Sequence, residues 1–469
     1  MPRSPRLPVT LSTGGWVIVL IALLSSAAVA LWPAPQREGI ELWTFARNHG
    51  QMYMQLGLMA EHDGKPRPLV VSVLDSEALK RRTLSGFWAG TPVADLIEVE
   101  RNAISNYVTG PLEHIGFTDL TDRLAAEGLD RTINAPSFSP WTSRGRVFGL
   151  PHDVHPVLLC YRADLVEAAG IDVREIETWD DFARVMRPLV ADLDGDGTTD
   201  RYLINLWYTS RTELESLLLQ AGGGTFDTQG RMLVDSPANA TVLAQAVAWM
   251  IGPNRIAIDA PNFSPSGNQL KLDGHVICEI MPDWLAGVYQ ADLPQLSGKL
   301  KLMPLPAWES GGRRTSVAGG TMLGIPKQTQ DFETAWEVAK QLYVSPEIAQ
   351  RLFTSSHIIS PVLTLWSEPF YHEPTPYFSG QPSGSLYIEQ APHVPQRSSS
   401  PFHQMALNRI FDAAGTLYRE ASSGRHGAVD SISPELLRPR AEALLSEAAE
   451  RIDREMSRNV FLAEEGAER

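Results

Sequence analysis

Ile40-Glu-Leu-Trp-Thr-Phe45, Leu69-Val-Val-Ser-Val-Leu74 and Ala94-Asp-Leu-Ile-Glu-Val99 are three short apolar runs near the start of the chain. Their length and their β-branched and aromatic content fit strands. Between them, Met52–Glu61 and Glu77–Trp88 carry apolar residues at helical spacing. Strands that alternate with helices imply a mainly parallel sheet covered on both faces. The fold class is therefore α/β.

The same pattern continues outward. Pro156–Tyr161 reads as a strand, followed by a helix that stops at Gly170, a suitable C′ glycine. Thr178-Trp-Asp-Asp181 opens the next helix as a capping-box variant, and Pro188 ends or kinks it. Tyr202–Leu206 and Val276–Met281 are further strands, and Ser236-Pro237 starts a helix with serine at the cap. Leu302-Met-Pro-Leu-Pro306 is extended by its prolines and suits a crossing between lobes. Glu333–Tyr343 and Pro346–Phe353 form a helical pair, and His403–Ala421 and Glu435–Met456 are helices. Residues 372–402, rich in Pro, Ser and Gly, read as irregular surface.

A chain of 469 residues exceeds what one core needs, so two domains or one two-lobed body is expected. With 43% hydrophobic and 20% charged residues it is too apolar to be disordered. The formal charge of −15, from 55 acidic and 40 basic residues, repels phosphate backbones and argues against nucleic acid as a partner. Two cysteines, Cys160 and Cys278, exclude a disulfide scaffold and a four-cysteine zinc site. Both lie in apolar strand-like runs and read as buried free thiols.

The amino terminus sets the compartment. Arg3 and Arg6 precede the apolar run Trp16–Leu24, which leads to Ala28-Val29-Ala30. This is the three-part layout of an export signal over residues 1–30. The competing reading is an uncleaved membrane anchor, since the apolar stretch runs on through Leu31-Trp32. Cleavage would deepen the net charge from −15 to −17. Both readings place the body outside the cytoplasmic membrane, in the periplasm or extracellular space.

Six motifs follow one another in order. They are Gly149-Leu-Pro-His-Asp-Val-His-Pro156, Tyr161-Arg-Ala-Asp-Leu-Val-Glu-Ala-Ala-Gly-Ile171, Thr178-Trp-Asp-Asp-Phe182, Cys278-Glu-Ile-Met-Pro-Asp-Trp284, Lys301-Leu-Met-Pro-Leu-Pro306 and Gly319-Gly-Thr-Met-Leu-Gly-Ile-Pro326. From residue 40 to about 455 the chain resembles the extracellular sugar-binding proteins of ABC importers, the maltodextrin-binding type, and among them the oligosaccharide binders. The resemblance implies two α/β lobes with a ligand cleft between them and a hinge that closes on the ligand. The first lobe would hold 40–151 and about 303–356, the second 152–302 and about 357–460. It further implies a monomer that serves the membrane subunits of an importer, with a platform tryptophan at Trp284.

A sugar presents apolar C–H faces and a rim of hydroxyls, so its site needs flat aromatics beside carboxylates, amides or imidazoles. The chain has 12 tryptophans. Trp43 and Phe45 end the first strand, Trp207 follows Tyr202–Leu206, and Trp284 follows Val276–Met281. Ligands collect at the carboxyl ends of strands in such sheets, so these four are candidate platforms, although aromatics also serve as core. His152, Asp153 and His155, at a chain crossing, and Asp283 beside Trp284 can bond hydroxyls. A metal held by His152 and His155 is disfavoured, because residues three apart in an extended segment face opposite ways. Gly320 and Thr321, with Gly319, can offer backbone contacts where no side chain blocks approach.

Asp192-Leu-Asp-Gly-Asp-Gly-Thr-Thr-Asp200 has carboxylates at loop positions 1, 3, 5 and 9 and glycine at 6, matching the first part of an EF-hand loop. Calcium would take the side chains of Asp192, Asp194, Asp196 and Asp200 and the carbonyl of Thr198, in a structural role. Leu203 stands where a bidentate glutamate is expected, which lowers the affinity. The plain alternative is a solvated acidic turn.

Two functions compete with a binding protein for an importer. One is an exported glycoside hydrolase with two carboxylates, and the other is the ligand-binding partner of a sensor. No G-x-S-x-G elbow, H-E-x-x-H pair or P-loop occurs, and the chain is expected not to be an enzyme.

Overall fold

The structure, a computed structural model, describes residues 12–31, 39–62 and 64–458. Arg3, Arg6 and Trp32 lie outside the described residues. Residues 1–39 make a unit of their own, whose described part is a helix, Thr13–Leu31, with Trp16, Ile18 and Leu20 exposed. Among the described residues no helix is long and apolar enough to cross a membrane.

The second unit begins at Ile40 and contains two large sheets. In chain order the strands are β1 (Ile40–Thr44), β2 (Met59–His62), β3 (Lys65–Val73), β4 (Leu96–Glu100), β5 (Thr142–Ser143), β6 (Arg146–Val147), β7 (Leu150–Pro151), β8 (Val157–Arg162), β9 (Tyr202–Asn205), β10 (Ala257–Ile258), β11 (Val276–Pro282), β12 (Leu300–Pro304) and β13 (Thr321–Gly324). The first sheet runs β2-β3-β1-β4-β13-β7, and the second β10-β9-β11-β8-β12. Each has a parallel centre (β3, β1, β4 and β10, β9, β11) with antiparallel strands added beside it. β5 and β6 form a small separate ribbon.

Local chemistry explains the element ends. Asp75 caps the helix Ser76–Ala89 by accepting from the amides of Glu77 and Ala78. Thr178 and Asp181 form both halves of the expected capping box, and the helix Trp179–Met186 gives way to a 3₁₀ turn at Arg187–Leu189, beside Pro188. Three expectations are corrected. The helix placed at Met52–Glu61 spans Arg47–Leu56, because Gly57 adopts φ 56° and stops it, freeing Met59–His62 to pair with β3. Leu302–Pro304 belongs to β12, paired with β8, so the return to the first sheet falls after Pro304. Residues 372–402 are not irregular surface. They include the helix Ser383–Gln390, and Tyr377, Phe378 and Tyr387 are buried, with the Tyr387 hydroxyl donating to the Met281 carbonyl.

One core fills the space between β8, β9 and the helices Pro237–Met250, His403–Ser422 and Pro434–Met456. A second joins Leu42 and Leu96 of the first sheet to Leu158 and Met281 of the second, together with the helices Phe332–Val344 and Pro346–Ser356. A third packs the other side of β1 and β4. Cys160 is opposite Glu279, and Cys278 is opposite Tyr161. Neighbouring residues of a strand face opposite ways, so the two thiols lie in different cores, buried and unpaired.

Candidate ligand-binding site

The chain leaves the first sheet at Pro151 and enters the second at Val157. Backbone bonds hold this crossing on three sides. The His152 amide donates to the Thr321 carbonyl, that of Val154 to Ile359 and that of Val157 to Ser316. His155 adopts φ 55°, and this left-handed turn brings its ring back toward Asp153. The extended-segment argument that sent His152 and His155 apart therefore fails here. His155 Nε2 and His152 Nδ1 both reach Asp153 Oδ2, at 3.0 and 3.2 Å.

His155 Nδ1 lies 2.6 Å from Asp283 Oδ1. One imidazole thus bridges a carboxylate of the crossing and one that opens the helix after β11. Burial opposes a charge on His155, but Asp153 and Asp283 overcome it and raise its pKa to about 10. Asp283 also accepts from the amides of Trp284 and Ile359, at 2.7 and 2.8 Å. Asp153 Oδ2 also accepts from the Thr321 amide at 3.1 Å. These residues lie at the chain crossing between the two sheets, and the His155 ring ties Asp153 to Asp283. Asp283 is fully buried, and its two oxygens accept from His155, Trp284 and Ile359, which gives it a positioning place beneath Trp284.

Trp284 is half-buried, with Nε1 donating to the Ala318 carbonyl at 3.0 Å. A Cβ at Gly319 would meet that nitrogen at 2.9 Å, and Gly319 has φ 88°, so glycine is required there. Phe263 lies parallel to Trp284, at 6° between planes and 6.2 Å between centroids. It is 67% exposed and holds φ 62°, a costly backbone conformation for a bulky residue. Sequence reasoning missed Phe263, since nothing local marks one aromatic in a loop before a helix.

Several candidates are placed elsewhere. Trp43 is buried under the Arg82 guanidinium, 4.1 Å from its ring centroid, so a platform there is corrected to core packing. Phe45 is partly buried against the same core. Trp207 packs on Tyr418 of the helix His403–Ser422, 5.1 Å between centroids. Gly320 and Thr321 do not face open space either. The Gly320 carbonyl accepts from the Arg101 amide, and Arg397 and Trp141 stand over its Cα.

A cavity of about 330 Å³ opens between the end of β4 and the helices Arg211–Gln220 and His403–Ser422. Glu100 and Asn102 line one side, and Arg211, Glu215 and Gln404 the other. Burial raises the Glu100 pKa. Nearby, Arg101 is buried, donating through Nη2 to the Ser398 carbonyl while Nε and Nη1 have no protein partner. Glu100 and Asn102 were within reach of sequence reasoning, because they stand at and just beyond the carboxyl end of a parallel strand.

The acidic loop is exposed. Asp192 accepts from the amides of Gly195 and Gly197, and Asp200 from that of Leu193. Carboxylate oxygens of Asp192, Asp194 and Asp200 lie within 4.8 Å of one another, without Asp196. Asp196 instead accepts from the Thr198 amide, and Leu203 is buried in β9.

Against known proteins, the chain is 26% identical over 344 residues to the arabinooligosaccharide-binding protein of Halalkalibacterium halodurans, covering 72% of this chain and 74% of that one. To the Bacillus subtilis protein of the same description it is 28% identical over 309 residues, covering 64% and 67%. Among solved structures, the binding protein associated with an ABC transporter from B. animalis subsp. lactis, in complex with beta-1,6-galactobiose, superposes with a TM-score of 0.63. It is 17% identical, and the match covers 89% of this chain and 98% of that one. The model of one family, bacterial extracellular solute-binding protein, matches residues 70–346. With two sheets joined by chain crossings and that match over more than half its length, the chain belongs to the bacterial extracellular solute-binding proteins.

Proposed function

We propose that this protein binds an oligosaccharide between its lobes and delivers it, chemically unchanged, to the membrane subunits of an ABC importer. The observation that carries this reading is the Phe263–Trp284 pair. Two parallel aromatic faces, one strained into exposure, suit the C–H face of a sugar. The two arabinooligosaccharide-binding relatives favour arabinose oligomers as the ligand. Each hydrogen bond to a neutral sugar adds about 0.5–1.5 kcal/mol net, so affinity comes from many contacts made together as the lobes close. The protein acts as an exported monomer, its amino-terminal segment serving as signal or tether. The Asp192–Asp200 loop takes a structural calcium ion.

Thermal-shift and calorimetric titrations against arabinooligosaccharides, β-1,6-galactobiose, maltodextrins and short peptides test the reading. An arabinooligosaccharide should raise the Tm and be recovered intact after incubation. A shift by peptides alone would overturn the substrate class, and released monosaccharide would overturn the binding-only role.

A further inference from the structure

Beneath the hinge, three buried side chains from separate elements converge: His49 of the helix Arg47–Leu56, Glu98 of β4 and His152 of the crossing. One ligand atom from each lies within 4.8 Å of the other two. His49 Nδ1 and Glu98 Oε2 are hydrogen-bonded at 3.1 Å, a contact that a shared ion would replace. Two donors about 2.0–2.1 Å from one tetrahedral ion stand roughly 3.3 Å from each other, so this pair already has the spacing of shared ligands.

The independent sign is His152. Its Nδ1 is engaged with the Asp153 carboxylate, while its Nε2 is buried without any hydrogen-bond partner. A carboxylate on one ring nitrogen leaves the lone pair on the other, as in the histidines of metal sites. Glu98 is supported in the same manner, accepting from the hydroxyls of Thr44, Tyr53 and Tyr343. Hydrogen-bonded carboxylate ligands are the usual surroundings of a bound ion.

We propose that His49, Glu98 and His152 form a site for a divalent transition metal that ties the helix Arg47–Leu56, β4 and the first crossing together. Two imidazoles and a carboxylate favour zinc and its neighbours over calcium or magnesium. The site is closed to solvent, so the ion enters while the chain folds.

The full chain, unfolded in guanidinium with EDTA and refolded with and without zinc or cobalt(II), tests this. Zinc should raise the Tm, and one equivalent should survive gel filtration. Cobalt(II) should give the intense visible absorption of a four-coordinate site, a bound water completing the three protein donors. The variant Asp192→Asn/Asp194→Asn should behave identically, which separates this site from the acidic loop. His49→Gln and His152→Gln should abolish the cobalt absorption, and Asp153→Asn should weaken zinc about ten- to hundredfold. Should those variants misfold, the wild-type cobalt spectrum decides alone. Wild-type protein that refolds to the same Tm in zinc and EDTA, without cobalt absorption, overturns the proposal. Cobalt absorption retained by a folded His49→Gln/His152→Gln variant overturns it too.

Discussion

Trp284 and Phe263 differ in what holds them. The indole is pinned through Nε1 to Ala318, whereas the phenyl ring stands out on a left-handed residue. Trp284→Ala should weaken oligosaccharide binding at least about tenfold, or ~1.4 kcal/mol, while the protein stays folded. Phe263→Gly should also weaken binding, yet leave the Tm unchanged or higher, because glycine relieves the positive φ. Equal affinity in calorimetry for both variants would remove these residues from the site. Glu213 carries a different signal. Burial, and then the charge of Glu279, raise its pKa to about 7. The folded state therefore holds this proton more tightly than the unfolded chain. Stability from Glu213 is present below about pH 4.5 and declines as pH rises toward 7, by up to ~3 kcal/mol. Glu213→Gln should flatten that decline, so the variant should gain Tm over wild type between pH 5 and pH 8. Parallel melting curves across that range would refute the linkage.

Elements whose signals are local were legible in advance. The Thr178 box and the Ser236-Pro237 start lie where the spacing put them. Elements decided by distant partners were not. The three aromatic side chains of Tyr377, Phe378 and Tyr387 turn a Pro- and Gly-rich stretch into packed structure, and composition hides that. The site divides the same way. Trp284 was readable from its place after a strand, but the bridge from His155 to Asp283 spans 128 residues, and no spacing rule reaches that far. Trp43 misled because a strand end gives a residue's position and not the cation stacked over it. At this scale the acidic loop makes its own prediction. Its amides already satisfy Asp192, Asp194, Asp196 and Asp200, so removing calcium should leave the turn formed but crowd three carboxylates. Calcium added back to chelated wild type should raise its Tm, and Asp192→Asn/Asp194→Asn should abolish that response. Identical melting of wild type with and without calcium would reduce the loop to a turn.

Across the whole molecule, one shared core joins Leu42 and Leu96 of the first sheet to Leu158 and Met281 of the second, so neither sheet can unfold without exposing apolar surface of the other. The body from Ile40 onward should therefore unfold in one transition, with equal calorimetric and van't Hoff enthalpies. Leu158→Ala, at a fully buried position, should move that single transition by about 2–5 kcal/mol rather than split it. Two resolved peaks would show that the lobes are energetically separate. The two thiols carry a further consequence for an extracellular family. Once β8 and β11 pair, Cys160 and Cys278 sit back to back across the sheet, and no oxidant can join them without tearing it open. A bond between them can form only in a chain that has not yet paired those strands. Free-sulfhydryl titration of secreted material is thus a clock: every oxidised molecule is one that met the oxidant before it finished folding.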